Sequence, residues 1–257
     1  MKLYFKFLSI HLRSAMTYHA SFFLSCLGHL LITTNVFLSV VFLLNRFDTV
    51  GGYTLPQLAL CFSTILAATS LAECFGRGFD VFHHLLSDAR FDRIMVRPRS
   101  LLFQVLCQDM KPTMFARLLQ AVVMLTWAIG RGAVAWTPIK ALVLALMILC
   151  GAAVFFGLFL INACICFFTL GHVETLNIFT DGAREYGKYP FGVYGKPVLL
   201  VLTFLVPLAL VQHWPLQYLF DRGPAWYGVL PVAALLFLIP CALLWRLGVR
   251  HYRSTGS

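Results

Sequence analysis

Ala141–Leu170 reads ALVLALMILCGAAVFFGLFLINACICFFTL, thirty residues without a charged side chain. A bilayer core about 30 Å thick needs roughly 20 helical residues to cross it. The stretch exceeds that length, so a helix here either tilts or runs on past the bilayer. Its neighbours in the chain have the same character. Charge-poor apolar runs lie at 20–44, 55–75, 113–129, 197–212 and 227–245, and each is predicted to be a membrane-spanning helix. The first run is about twice the length of a secretion-signal core, and no small-residue cleavage site closes it, so it reads as a retained span. The expected fold class is an all-α membrane protein with six transmembrane helices.

Composition agrees. The 257 residues are 60% hydrophobic and 12% charged, against roughly 45–50% and about 25% in soluble domains. A soluble domain of this size has too little polar surface to hide so many apolar side chains. Disorder is excluded by 24 Phe, 9 Tyr and 5 Trp, because disordered chains are poor in aromatics. The net charge of +10 is therefore sorted by side of the membrane before any nucleic acid is invoked, and none is expected as a partner.

Of the 20 Lys and Arg residues, 16 fall before the first span, after the second and fourth, and in the tail. The other four are Arg46, Arg131, Lys140 and Arg222. This alternation is the positive-inside pattern and puts both termini in the cytoplasm.

Three segments outside the spans stand out. In residues 1–19, Lys2, Lys6, Ser9 and Arg13 form a polar stripe opposite Tyr4, Phe5, Phe7, Leu8 and Ile10. That pattern suits an interfacial helix lying on membrane lipid. Between spans two and three, Phe79, Phe82, Leu86 and Ala89 keep helical spacing, so span two is expected to continue past the membrane. Charges at Asp88, Arg90, Asp92, Arg93, Arg97 and Arg99 then interleave with Phe91, Ile94, Met95 and Val96, until Pro98 ends the element. Such a helix offers an apolar side to its own protein and a charged side to a partner. Ser100 is placed to cap a following helix, Leu101 to Met110. Residues 211–226, with Trp214, Pro215 and Tyr218, fit either a re-entrant hairpin or an interfacial loop. The Tyr-rich loop from Gly171 to Lys196 suits the headgroup level on the cytoplasmic side.

Chemical motifs are scarce. Gly182 to Tyr189 nearly matches a P-loop, but Tyr189 stands where a Ser or Thr must hold magnesium. Cys164 and Cys166 are two apart on a presumed helix and do not share a face, which argues against a metal site with His172 and Glu174. His83 and His84 read as surface residues. No catalytic cluster is visible, so neither catalytic, cofactor nor metal residues are assigned. Glu73 and Arg117 sit near the same ends of spans two and three; they either pair across the hairpin or snorkel to the interface, with snorkelling preferred.

The words Phe91-Asp92-Arg93-Ile94-Met95-Val96-Arg97-Pro98-Arg99-Ser100, Tyr189-Pro190 with Tyr194, Phe204-Leu-Val-Pro207, and the ending from Trp245 to Ser257 resemble those of the ABC type-2 permeases. The resemblance covers the whole chain and implies a single transmembrane permease domain, 1–257, in a bacterial ABC exporter. It implies a second permease, identical or a sister chain, and separate ATPase subunits that hold ATP and Mg. Asp88, Phe91, Asp92, Arg93, Ile94, Arg97 and Pro98 would belong to the ATPase-coupling helix. The helix bearing Lys2, Lys6 and Arg13 would brace ATPase and membrane, and Trp214, Pro215 and Tyr218 would form part of an outer gate. The expected location is the inner membrane. The alternatives are a secondary transporter or channel working without an ATPase, and a membrane enzyme. Apolar, aromatic spans lean toward an amphipathic or lipid-like cargo.

Overall fold

In lipid a backbone must satisfy its own hydrogen bonds, so long apolar runs become helices. A computed structural model describes residues 2–47, 49, 51–169, 177–187 and 189–252, and its regular elements are helical. In chain order they are α1 (Lys2–Ala15), α2 (His19–Phe47), α3 (Leu55–Asp80), α4 (Phe82–Ser87), α5 (Arg90–Met95), α6 (Leu101–Leu106) and α7 (Met114–Gly130). There follow α8 (Pro138–Thr169), α9 (Asn177–Tyr186), α10 (Lys196–Phe204), α11 (Leu208–Val211), α12 (His213–Leu219), α13 (Leu230–Ala234) and α14 (Leu238–His251), with short 3-10 turns between some of them.

Four continuous helical runs are long and apolar enough to cross a membrane: Leu3–Leu44, Leu55–Ser87, Pro138–Thr169 and Ala225–His251. The pair α10 and α11–α12 would make a fifth, and α7 is a shorter apolar helix. The helical run of span two continues through α4 to Ser87.

The middle of the bundle is α3. Its most apolar window is 89% buried, against 17% for the N-terminal run. Thr54 and Gln57 close a capping box at its start, with Pro56 in the first turn. α7 runs antiparallel to α3, and α8 runs parallel to it. Arg117 of α7 meets Glu73, while Ala128 shares a cluster with Ala59 and Leu60. On α8, Gly151 faces Ala68 and Asn162 donates to the Asp80 carbonyl at 3.1 Å. Small residues allow these close approaches. The last run lies parallel to α8, with Gly157 against Phe237 and Gly248 against Phe167. Both chain ends reach the end of the bundle that carries Phe91: Tyr4 donates to the Phe75 carbonyl, and Tyr252 donates to Asp92.

Four expectations need correction. Residues 1–19 are not set apart from the first span as an in-plane helix: α1, a 3-10 turn and α2 join into one run of 42 residues. At 1.5 Å per residue that is about 63 Å, twice a bilayer core. The inward residues Tyr4, Phe7 and His11 pack on protein around Phe75, Ile94 and Cys107. Lys6 and Arg13 are exposed; the Lys2 side chain lies outside the described residues. The helix after Ser100 is shorter than expected, ending at Leu106, and Ser100 makes no side-chain cap.

The fifth apolar run is not one straight span. It bends by 89° between α10 and α11. Pro207 has no amide to donate, and the amides of Leu205 and Val206 both fall on the Val201 carbonyl. The break therefore lies upstream of 211–226, where the hairpin was expected.

The loop before it is also displaced. Gln212 donates to the Gly187 carbonyl at 2.7 Å, His213 accepts from the Gly192 amide, and Tyr189 joins the cluster of Tyr53 and Phe220. Gly187 and residues 189–194 thus pack toward the Tyr53 end, opposite Phe91. α9 bridges the two levels, with Asp181 near Glu73 and Gly187 near Cys61. Buried contacts outweigh the loop's basic residues in placing it.

Gly78 tests the packing of α6 on α3. A Cβ there would collide with the Val105 carbonyl oxygen. Gly78→Ala is expected to cost at least about 1–3 kcal/mol, as overpacking does. At Gly28 an added Cβ would meet nothing within 4 Å, so Gly28→Ala should change stability by less than about 1 kcal/mol. Thermal unfolding in detergent checks both.

Candidate functional site

The Phe91 end holds two features. One is a short charged helix. Ala89 adopts a left-handed φ of 52°, which separates α4 from α5 and lets the chain turn. Phe91 and Ile94, three apart, point inward and are buried. Arg93, Met95, Val96, Arg97 and Pro98 point outward and are exposed, Val96 by 83%.

Phe91 is anchored in an aromatic cluster. Its ring lies 5.2 Å from Phe82, 5.4 Å from Phe167 and 5.0 Å from Tyr252, all edge-on. Trp245 completes the group against Phe79 and Phe82. Edge-to-face pairs each contribute about 0.5–1.5 kcal/mol beyond area burial. The cluster ties α5 to the ends of α3, α8 and α14.

Of the expected coupling set, Phe91 and Ile94 are buried, and Asp92 and Asp88 engage residues of the chain itself, which leaves Arg93, Arg97 and Pro98 facing outward. Asp92 accepts a hydrogen bond from the Tyr252 hydroxyl at 3.0 Å and so faces its own protein. Asp88 caps the end of α4 instead of lying in the charged helix, and pairs with Arg90 at 3.3 Å on the surface. Such exposed pairs contribute little.

The second feature is a polar cavity of about 350 Å³ between α3, α7, α8 and α9. Glu73, Arg77 and Asp80 line it from one face of α3, at i, i+4 and i+7. Glu73 and Arg117 are 6% and 7% exposed and meet at 2.5 Å. They pair inside the protein, which replaces the snorkelling expectation: α2 and α8 cover them, and His29 lies 3.4 Å from Arg117. Arg77 sits 3.1 Å from Asp80 and 3.6 Å from Glu73. Phe155 and Phe159 form an apolar wall, and α9 contributes Thr180 and Asp181. Lys111 reaches in from the loop before α7. Burial, then the Arg77 guanidinium, lowers its pKa, although Asp109, Asp80 and Glu73 pull the other way.

Sequence reading missed the cavity as a unit. The available signal was the i, i+4, i+7 spacing of Glu73, Arg77 and Asp80; the contribution of α9 had none. His83 lines the cavity instead of lying simply on the surface, whereas His84 is exposed. Gly182 lies within helix α9 and so forms no phosphate-cradling loop. Cys164 and Cys166 are buried. Among the described residues no group of three His, Cys, Asp or Glu is placed to hold a metal; His172 and Glu174 lie outside them.

Trp214, Pro215 and Tyr218 sit on α12, which packs on the 3-10 helix Ala225–Val229. Trp214 lies 5.0 Å from Tyr227, and Tyr218 touches Gly228. Beside them Lys140 binds Asp221 at 2.8 Å, and Arg222 covers the Tyr53 ring. This hairpin closes the Tyr53 end.

The family model described as ABC-2 family transporter protein matches residues 30–256. No curated protein and no solved structure matches the chain.

Two substitutions separate the faces of α5. Phe91→Ala should cost about 3–5 kcal/mol, and Val96→Ala should stay within about 0.5 kcal/mol, read by thermal unfolding. Arg117→Met should cost about 3 kcal/mol by stranding Glu73; the lower end of the usual range applies because Arg77 stays near. Adding Glu73→Gln should restore most of that loss.

Proposed function

The chain belongs to the ABC-2 transporter family, and from that premise we propose that it forms the substrate pathway of an ABC exporter and is driven by ATPase subunits docked on α5. As a family member it is a multi-pass integral membrane subunit of an ABC transporter, a class that works with ABC ATPases. Such subunits are generally not catalytic themselves.

The observation that carries the proposal is the division of α5. Its inner side is fixed by Phe91 in the aromatic cluster. Its outer side presents Arg93 and Arg97 around Met95 and Val96. A rigid basic rim around an apolar knob suits a cleft with acidic walls. Motion of a docked ATPase would pass through Phe91 to α3, α8 and α14 together.

The helices support six crossings. Runs 19–47, 55–87, 114–130 and 138–169 supply four, and Ala225–His251 supplies the last. The segment from α9 to α12 supplies the fifth in pieces, returning the chain from the Phe91 end to the Tyr53 end. On this reading the Phe91 end and both termini face the cytoplasm, in the inner membrane. A second permease, identical or a sister chain, completes the pathway, and ATP and Mg bind on the ATPase. α1 braces the docking region, because His11 lies 3.0 Å from the Cys107 carbonyl beyond α6. The packed hairpin of Trp214, Pro215 and Tyr218 serves as the outer closure, and membrane lipid surrounds the exposed apolar faces.

Replacing Arg93 and Arg97 together by Glu tests the docking. Both side chains are exposed, so unfolding temperature should hold. Association with the ATPase encoded beside this chain should fall at least tenfold by pull-down from solubilised membranes. Undiminished association would remove α5 from the docking role, and transport by the chain alone in vesicles would favour a secondary transporter.

A further inference from the structure

We infer that the apolar cleft beside the break of the fifth apolar run holds the alkyl chain of a membrane amphiphile whose head group, a hydroxyl or an ammonium, donates a hydrogen bond to the carbonyl oxygens of Thr203 and Phe204. The break leaves these two acceptors over. The Thr203 carbonyl is in line for the amide of residue 207, which is Pro207 and has none. The Phe204 carbonyl is in line for the Leu208 amide, which donates instead to the Val206 carbonyl at 2.6 Å. The Val206 amide is spent on the Val201 carbonyl. Among the described residues no donor reaches either oxygen. Lipid tails cannot satisfy such groups, and broken backbone at membrane depth persists where it is buried in protein or lines a cavity. Here Thr203 and Phe204 both line one.

The cleft measures about 580 Å³ and lies between α8, residues 203–207 and the last run. That size falls in the roughly 300–1,000 Å³ range of small-molecule sites. Leu158, Phe237 and Leu244 in its wall lie well inside helices that cross the membrane. Phe204 and Leu236 line it and are 81% and 67% exposed, so it opens on the outer surface of the bundle, where alkyl chains are the solvent. Thr203 brings the one polar side chain among the lining residues, and its hydroxyl already donates to the Leu199 carbonyl at 2.6 Å. An apolar wall is a poor host for water, so the missing donor must arrive on an apolar carrier. The two carbonyls also close the C-terminal end of α10, whose partial negative charge favours a donor or a cation. Such binding needs no ATPase, and its failure would leave the docking proposal standing.

Photolabelling of the full-length chain in phosphatidylcholine vesicles tests this, because that lipid's head group has no hydrogen-bond donor. The probe is hexadecanol bearing a diazirine in its chain; hexadecanol, hexadecylammonium and hexadecyl methyl ether are the competitors. Saturable labelling of residues lining the cleft is expected. Hexadecanol or hexadecylammonium should suppress it at a concentration at least tenfold below that of the ether, and the more effective of the two identifies the head group. Ala233 lines the cleft and is exposed, so Ala233→Trp should fill the space, lower labelling at least tenfold and leave the unfolding temperature unchanged. No saturable labelling of the lining residues, competition by the ether equal to that by both donors, or unaltered labelling in Ala233→Trp would overturn the inference. An adduct between two copies of the chain from a photoreactive side chain at Phe204 would also overturn it, by showing that protein covers the opening. The competition on the native chain decides the matter even if Ala233→Trp does not fold.

Discussion

Helix α3 is enclosed by its own protein along almost its whole apolar length, and the rest of the structure follows from that enclosure. A charged residue on such a helix cannot reach water or headgroups and must be answered from a neighbouring helix. Glu73 therefore fixes where Arg117 of α7 must lie, and Arg117 in turn meets His29 of α2. The same burial demands small residues at the contacts: Gly78 admits the backbone of α6, and Ala68 admits Gly151 of α8. Packing and electrostatics thus set the same register, with α7 antiparallel and α8 parallel to α3.

The enclosed helix also links the two features at the Phe91 end. α3 runs into α4, whose Phe82 contacts Phe91, Phe167 and Trp245. Its last turns carry Arg77 and Asp80 into the cavity. Displacement of α5 would bear on the aromatic cluster and on the cavity wall through one rigid element. In a tightly packed interior such a shift repacks discrete contacts instead of dissipating. The break at Leu205–Pro207 connects to both regions through α8, whose Leu158 and Phe159 face the broken helix and the cavity respectively.

Much of this was legible in the sequence because lipid enforces simple rules. The uncharged length of 141–170 gave α8 to within a few residues, and the spacing of Phe79, Phe82 and Leu86 announced the extension of α3. The interleaving of Phe91 and Ile94 with Arg93 announced a two-sided α5, but it grouped Met95 and Val96 with the apolar side, and both are exposed. Other features depended on contacts between distant segments. Nothing local marks Asp92 as the partner of Tyr252, 160 residues away. The hydropathy of 197–212 is that of a straight span, and Pro207 together with the double use of the Val201 carbonyl marks where it breaks. Charge counting put the Tyr-rich loop on one side, whereas Gln212 and the Tyr53 cluster hold Gly187 and Tyr189 toward the other. Burial of the loop's contacts outweighs the weaker preference of isolated basic residues for one side.

The central claim is that the outer face of α5 is the seat of the ATPase. A photoreactive side chain introduced at Val96, the exposed knob of that face, tests it in native membranes. The account predicts a covalent adduct with the ATPase subunit on illumination, and none from the same group at Val229, exposed at the opposite end. An adduct from Val229 but not from Val96, or none from Val96 while the ATPase still co-purifies, would contradict it.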